Sequence, residues 1–497
     1  MNRNRRIVYG DIHNHNAHGY GLGSIERSVD IARGHLDFFA FTGHSSWHDL
    51  GRIEGGAEAH FNDGYKRLAE TWPRVQQVIA AANRDGDFCS FLGFEWQSNI
   101  FGDQCVVFPG DHQPICYAQS VPELRRFCLE RDALLIPHHI AYPKGRRGIN
   151  WEVFEEACTP VIEIFSMHGL AEHDRGPYAM VMGSPGGRET ANTVRAALAR
   201  GLRFGFTASS DNHAGFPGAY GEGLMGALVE DLTRPAILEA IRARRTYALT
   251  GDRIDLDFSV NGVCMGSTIE AGRSVEVAYQ VAGRDEIEMV EIIQDGRAVH
   301  RAFAEEQASA EETFAQPFQV RLEWGWGPWA SLGLQRLTDW KFDLELDRGR
   351  IRRLFPCLAS GPFDEERRHR FDLQGERRLA VRSYTSRQGA YKENPNQSLV
   401  LEIEGGADTR FRLGLEEPVG MEVLSQADEL FTGSHPHHVG PFPAESFLWH
   451  RILAGAASRV ADKCSLDIDG KTSTIYLRAQ QRNGHMAWSS PVFVNYR

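Results

Sequence analysis

Residues 10–21, GDIHNHNAHGYG, follow the short apolar run Ile7-Val8-Tyr9 and carry Asp11, His13, His15 and His18 within eight residues. Residues two apart on a β-strand point to the same face, so Asp11, His13 and His15 project together from one strand end. Three side chains able to bind metal, meeting where a strand runs into a Gly-rich loop, point to a metal site. A solvent-exposed polar strand end has the same local pattern, because most isolated histidines ligate nothing. The choice rests on whether the rest of the chain supplies further ligands.

Downstream, the first 250 residues alternate strand and helix signals. Ser24 caps a helix whose apolar Ile25, Val29 and Ala32 recur at helical spacing, with Glu26 in its positive first turn. A strand over 38–42 ends in Gly43-His44, and a helical region over 57–83 leads to a strand over 88–94 that ends at Glu95. A short run at 105–108 precedes a helix over 121–130. The strand 133–136 then ends in Pro137-His138-His139. Residues 161–165 form the next strand, with Glu163 inside it and His168 just beyond. A helix over 189–200 feeds a strand over 203–208 that ends in Ser209-Ser210-Asp211-Asn212-His213. After a short strand at 226–229, the last helix is capped by Thr233, has Pro235 in its first turn, and ends in Arg242, Arg244 and Arg245.

Repeated strand–helix units favour a parallel sheet, open or closed into a barrel. Ligands of such folds bind at the carboxyl ends of the strands. His13, His15, His44, Glu95, His138, His139, Asp211 and His213 all fall at those ends, where scattered structural histidines have no reason to gather. Thirteen of the 20 histidines lie at or before His213, which places any histidine chemistry in the N-terminal half.

At 497 residues the chain exceeds one ordinary domain, and two or three are expected. With 42% apolar and 24% charged residues and no apolar run of bilayer length, composition is that of a soluble globular protein with no membrane partner. MNRNRR precedes no hydrophobic segment, so no signal peptide is expected. Eight cysteines without CxxC spacing form neither a zinc-finger nor a disulfide pattern, which leads to the expectation of a reduced, cytoplasmic protein. A net charge of −12 argues against a nucleic-acid partner.

The pieces Asp11-Ile-His13-Asn-His15, Phe41-Thr-Gly-His44, Gly93-Phe-Glu95, Pro137-His138-His139 and Ser210-Asp211-Asn-His213 resemble, in order, the PHP family. This is the polymerase and histidinol phosphatase group of metal-dependent phosphoesterases. More closely, the chain resembles a large PHP subgroup with a C-terminal β-rich region. That likeness runs on through Thr250-Gly-Asp-Arg253, Glu323-Trp-Gly-Trp-Gly-Pro-Trp329 and Met486-Ala-Trp-Ser-Ser-Pro491.

The resemblance implies an α/β fold over residues 1–250, a distorted (β/α)7 barrel holding two or three divalent metals. Carried over by motif, His13, His15, Glu95 and Asp211 hold one metal, with Glu95 bridging to a second. His139 serves that second metal, and His44 with His213 a third. Imidazole and carboxylate without thiolate fit zinc, manganese or iron. Three positions depart from the family pattern. Gly43 stands where an Asp precedes the second-strand histidine. Gln104 stands near a usual histidine, with His138 or Asp103 as the compensating ligand. Tyr20 stands at a usual acidic position, with His18 nearby as an alternative ligand. Asp11 is expected to hold an imidazole rather than touch metal.

Bridged divalent metals lower the pKa of bound water enough to make hydroxide near neutral pH. The reaction this implies is phosphoester hydrolysis by metal-bound hydroxide, with His213 or His168 protonating the leaving group. A small anionic, phosphorylated substrate also calls for fixed cationic donors. Lys144, Arg146 and Arg147 follow one strand end and Arg175 follows His168, although ordinary solvated loop charges have the same pattern. Two alternatives stay open: hydrolysis of an amide, lactone or sulfate ester by the same chemistry, and a non-catalytic metal-containing binding module.

After about residue 251 the helical period fades into short alternating segments separated by Asn261-Gly262, Asp295-Gly296 and Asp469-Gly470. Residues 251–497 read as an all-β, sandwich-like region of one or two modules, with a candidate break at 331–339. Trp324, Trp326 and Trp329 read as β-core aromatics, with an aromatic binding surface as the alternative. His435-Pro-His437-His438 reads as a loop without carboxylate partners.

Overall fold

The computed structural model describes residues 5–180, 187–304, 309–325, 337–361, 363–386, 396–441, 444–470 and 472–497. The chain is mixed α/β with many sheets. Strand β1 (Arg6–Asp11) runs parallel to β2 (Phe38–Phe41), and β2 runs parallel to β4 (Cys89–Gln97). A short strand, β3 (His44–Trp47), lies beside the end of β4. Next come β5 (Gln104–Val107), antiparallel to β4, and β6 (Leu134–Pro137), antiparallel to β5. The connection from β4 to β5 holds no helix, and a connection that short can join only antiparallel neighbours.

Strands β7 (Val161–Ser166) and β9 (Gly205–Ala208) pair in parallel within a separate three-stranded sheet that includes β8 (Gly169–Leu170). On the other flank of β1, β10 (Leu224–Val229) and β11 (Thr246–Leu249) are both antiparallel to their neighbours. The expectation of an all-parallel sheet therefore gives way to a mixed one. Among the described residues these strands hydrogen-bond as two sheets rather than as one ring.

One face of these strands nevertheless shares a single core. Val8, Phe38, Phe91, Val107, Ile136, Val161 and Met225 meet there, with Ile237, Leu238 and Ile241 of the helix Arg234–Arg242 packed against them. The opposite face of β1, β2 and β4 is covered by α1 (Ile25–His35) and α2 (Glu58–Ala82) through Val29, Leu68, Val75 and Ile79. Ser24 accepts from the Arg27 amide, as its cap position requires. Where one helix is expected over 189–200, the chain makes a 3₁₀ turn, Thr190–Asn192, and a short helix, Val194–Ala199. Thr193 caps the second and separates the two.

In the C-terminal half, two five-stranded antiparallel sheets enclose one apolar core. Phe318–Trp324 and Gln397–Glu404 belong to one sheet, Leu337–Leu346 and Arg410–Glu417 to the other. Trp324, Trp340 and Trp449 are buried between them. Strands before and after 331–336 thus share this core. Trp326, Trp329 and residues 331–336 lie outside the described residues. His435–His438 is an edge strand, not a loop, paired with Ser446–Trp449.

Of the remaining strands, Asp255–Val260, Val263–Cys264, Ser274–Ala282 and Arg459–Asp467 form a four-stranded sheet of their own, and the others join the N-terminal sheet. Met486–Ser489 pairs with β11, and Ser473–Gln481 pairs with Met486–Ser489. Two carboxylates anchor this junction. Asp252 receives two bonds from Arg321 at 3.0 Å, and Tyr220, Gln481 and Asn483 also donate to it. Glu172 receives Arg478, Tyr476 and the Trp488 indole. All eight cysteines are free, and no described helix is long and apolar enough to cross a membrane.

Candidate metal centre

The parallel strands β1, β2 and β4, with β6 running the same way, deliver their carboxyl ends to one side of the sheet. His13 and His15 leave β1, His44 follows β2, Glu95 sits in β4, and His138 and His139 follow β6. His168 follows β7, and Asp211 and His213 follow β9. Asn14 forms a bridge with Asn212, and the His15 amide donates to the Asn212 carbonyl at 2.9 Å, which ties the β1 and β9 ends together.

Four ligand atoms converge at the centre. His15 Nε2 lies 2.9 Å from Asp211 Oδ1, 3.2 Å from Glu95 Oε2 and 3.1 Å from His13 Nε2. His13 Nε2 lies 3.3 Å from both Glu95 Oε2 and Asp211 Oδ1. All four residues are buried. Bonds of about 2.0–2.2 Å to one cation set tetrahedral ligand atoms roughly 3.3–3.6 Å apart, so these atoms already stand close to a coordination shell. The ring of His13 is oriented by Glu163, whose Oε2 accepts from Nδ1 at 3.0 Å and leaves Nε2 to offer its lone pair inward.

Four further groups adjoin the first, and two of them, His13 with Cys105 and His138, and His139 with His168 and Asp211, share His13 and Asp211 with it. His15, His44 and His213 form a third, with His15 and His44 stacked at 3.8 Å between ring centroids. His213 Nδ1 donates to the Asp211 carbonyl at 2.8 Å, which turns its Nε2 outward as a lone-pair donor. On the other side, His138 Nε2 stands 3.3 Å from Glu95 Oε1, and Asp103, His138 and His139 bring ligand atoms together. The Nδ1 atoms of His15, His44 and His139 and the Nε2 of His138 are buried without a hydrogen-bond partner. Buried polar atoms are normally satisfied, so orphaned nitrogens in a carboxylate cluster fit cation binding. The residues present fit divalent metal, and Glu95 touches both flanking groups through its two oxygens.

Electrostatics agree with that fit. Burial alone would raise Glu95 and Asp211, yet surrounding imidazoles, His44 and His138 for Glu95 and His13 and His168 for Asp211, hold both well below the usual carboxylate range. Burial pushes His44 well below its ordinary value and brings His213 and His139 down to about 3. His13 goes the other way. Burial opposes its charge, but Asp211, Cys105 and Glu163 raise it well above the ordinary value, so the field there favours a cation. Asp11 receives Ser210, Gly218 and the His13 amide, yet burial raises its carboxyl to about 6. It braces the β1 and β9 ends and is in none of the ligand groups.

The sequence-predicted residues separate into two sets. His18 stands apart from every ligand group among the described residues, because its amide closes a tight turn onto Asn16 Oδ1. Tyr20 instead stacks on His44 at 3.6 Å, in a slot where a side chain on Gly64 of α2 would meet Tyr20 Cβ at 3.0 Å. Gln104 faces the wrong way. It pairs opposite Trp96, while Cys105 pairs opposite Glu95 and so shares the face of the cluster. Asp103 and Cys105 are the residues that reach His139 and His138.

Of the four basic residues, Arg147 alone enters the cluster, bonded to Asp103. Lys144 pairs with Glu152 at the surface, and Arg146 and Arg175 are exposed. His168 Nε2 lies 2.9 Å from Asp211 Oδ2, and its Nδ1 lies 2.6 Å from the Tyr142 hydroxyl. Glu163 and Tyr142 were not singled out as site residues. An acid inside the apolar strand VIEIFS was the only signal for the first.

No family model matches the chain. It is 25% identical to an uncharacterized protein of Chlamydia pneumoniae over 271 residues, which are 50% of this chain and 43% of that protein. An uncharacterized protein of Chlamydia trachomatis is 27% identical over 256 residues, 46% of this chain and 41% of that one. The chain therefore spans less than half the length of these curated relatives. Among solved structures, a two-domain protein from Bacteroides vulgatus containing a predicted PHP-like metal-dependent phosphoesterase is 10% identical, with 85% of this chain and 96% of that chain covered at a TM-score of 0.33.

Proposed function

We propose that the chain is a metal-dependent hydrolase of the PHP type, and that its reaction is hydrolysis of a phosphoester. Residues 1–250 are the catalytic domain in this reading, and 251–497 the β-rich part that braces it. The observation that carries the proposal is the convergence of His13, His15, Glu95 and Asp211, with ligand atoms 2.9–3.3 Å apart. These four residues would hold zinc, manganese or iron, which would supply an acidified water and positive charge beside the phosphoryl group.

The chain's own residues do the rest. Glu163 fixes the His13 tautomer, and Asp11 holds the strand ends in register. His213 commits its Nδ1 proton to a backbone carbonyl, so it serves as a ligand rather than as a proton donor. His168, held between Asp211 and Tyr142, is the group placed to deliver a proton to the leaving oxygen. Arg147 offers the fixed positive charge that an anionic substrate needs. A small phosphorylated substrate and a cytoplasmic location belong to the same reading.

The test is a hydrolysis screen of zinc- or manganese-loaded protein across phosphomonoesters, phosphodiesters, sulfate esters and amides. Turnover of phosphoesters that disappears in His13→Ala is the expected result. Activity confined to sulfate esters or amides would overturn the phosphoesterase assignment.

A further inference from the structure

The side of the cluster formed by Asp103, His138 and His139 differs from the side formed by His15, His44 and His213 in one respect: a guanidinium is already there. Arg147 Nη2 lies 2.5 Å from Asp103 Oδ2 and Nε lies 2.7 Å from the same oxygen. The same Nη2 stands 3.3 Å from His139 Nε2, which accepts from it. Asp103 Oδ1 is also taken, by the Ser98 amide at 2.9 Å. Two of the three residues that would bind a cation on this side, Asp103 through Oδ2 and His139 through Nε2, thus already accept hydrogen bonds from one arginine.

That arginine is held there by the backbone as well as by its partners. Arg147 adopts φ 69°, a left-handed conformation uncommon outside glycine. The following residue, Gly148, lies so close to the Tyr142 carbonyl that a Cβ would sit 1.8 Å from the oxygen. The Arg147 amide donates to the Asn99 carbonyl at 3.2 Å, and its guanidinium lies 5.1 Å over the Trp47 ring. Burial opposes its charge, but Asp103 outweighs burial and raises its pKa, so it stays cationic. The side chain is 16% exposed, and among the described residues no hydrogen bond engages Nη1.

We infer that the Arg147 guanidinium takes the place of a metal ion on the Asp103–His139 side of the cluster. The site then binds metal only at His13, His15, Glu95 and Asp211 and at the His15, His44, His213 side. The second positive charge beside Glu95 is a permanent one, and its outer edge receives an anionic group of the substrate. This rests on the metal-dependent reading above. It departs from that reading in assigning the second cation position, on the His139 side, to protein.

Metal content after saturation with zinc or manganese and desalting tests the assignment without an activity assay. Arg147→Met removes the charge at similar length, and should gain about one equivalent of metal per chain over wild type. Adding Asp103→Asn to it should cancel that gain, and Arg147→Lys should show none. Asp103→Asn alone should leave metal content at the wild-type level, which keeps the inference exposed if Arg147→Met does not fold. Equal content in wild type and a folded Arg147→Met, or loss of one equivalent in Asp103→Asn, would overturn it. A wild-type chain that retains no metal would sink the metal-dependent reading itself, a different result from either.

Discussion

His13-Asn-His15 and His435-Pro-His437-His438 are both histidines at alternate positions of a strand, yet they reach opposite environments. The first pair leaves β1, which has neighbours on both sides, at an end where β2, β4 and β6 also finish. Carboxylates from β4 and β9 close on it. The second set lies on the edge strand of a sandwich, half exposed, with one partner strand. His437 stacks on Phe447 at 4.9 Å, and none of the three joins a ligand group among the described residues. Local density of histidine is therefore a poor guide to a metal site. What separates the two is the arrival of carboxylates from distant strands, which supplies the negative field that free imidazoles lack.

The sharpest way to break this comparison is to exchange the consequences of mutation at the two places. Asp211→Asn removes a carboxylate that contacts His13, His15 and His168. It should cost more than about 100-fold in metal affinity and turnover, since changes one shell further out cost about 10–100-fold. Replacing His435, His437 and His438 together by Ala should leave both quantities unchanged. Titration with a chromophoric chelator reads both variants, and metal loss in the triple variant would end the contrast.

A finer test concerns the residue behind the ligand. Glu163→Gln keeps shape but weakens the hold on His13 Nδ1, and should lower metal affinity by about 10–100-fold with little change in thermal stability. Unaltered affinity would mean that the His13 tautomer is set elsewhere.

The smallest effect on the site, and a larger one on the fold, is expected at the junction. Burial alone would raise Asp252, but Arg321 and His485 hold it far below the ordinary 3.8. Its contribution to stability is present above 3.8 and is lost as pH falls through the depressed folded value. Asp252→Asn leaves Arg321 buried and uncompensated, which should cost about 3–5 kcal/mol near neutral pH. Denaturant melts at descending pH should show the gap between wild type and variant narrowing below 3.8. A constant gap would remove the ion pair as its cause.

Much of the ligand set was legible because strand ends are marked locally. Pro137-His138-His139 and Ser210-Asp211-Asn212-His213 each follow an apolar run, and the rule that sites form at carboxyl ends did the rest. Asp103 and Cys105 escaped that rule because they enter at the start of β5, an antiparallel strand whose amino end lies on the same side. Glu163 was hidden inside an apolar strand, and Arg147 could not be told from Arg146 in a turn. His18 lay within the richest stretch of the chain and stays outside the ligand groups.

By itself the sequence determined which residue types were available, which of them share a strand face, and that the candidate metal ligands gather in the N-terminal half. Those are local properties, set by side-chain identity and the two-residue period of a strand. The tertiary structure alone decided that Cys105 rather than Gln104 faces Glu95, that Glu163 orients His13, and that a guanidinium sits between Asp103 and His139. Each depends on the register between strands far apart in the chain, or on a left-handed turn whose side-chain direction no period encodes.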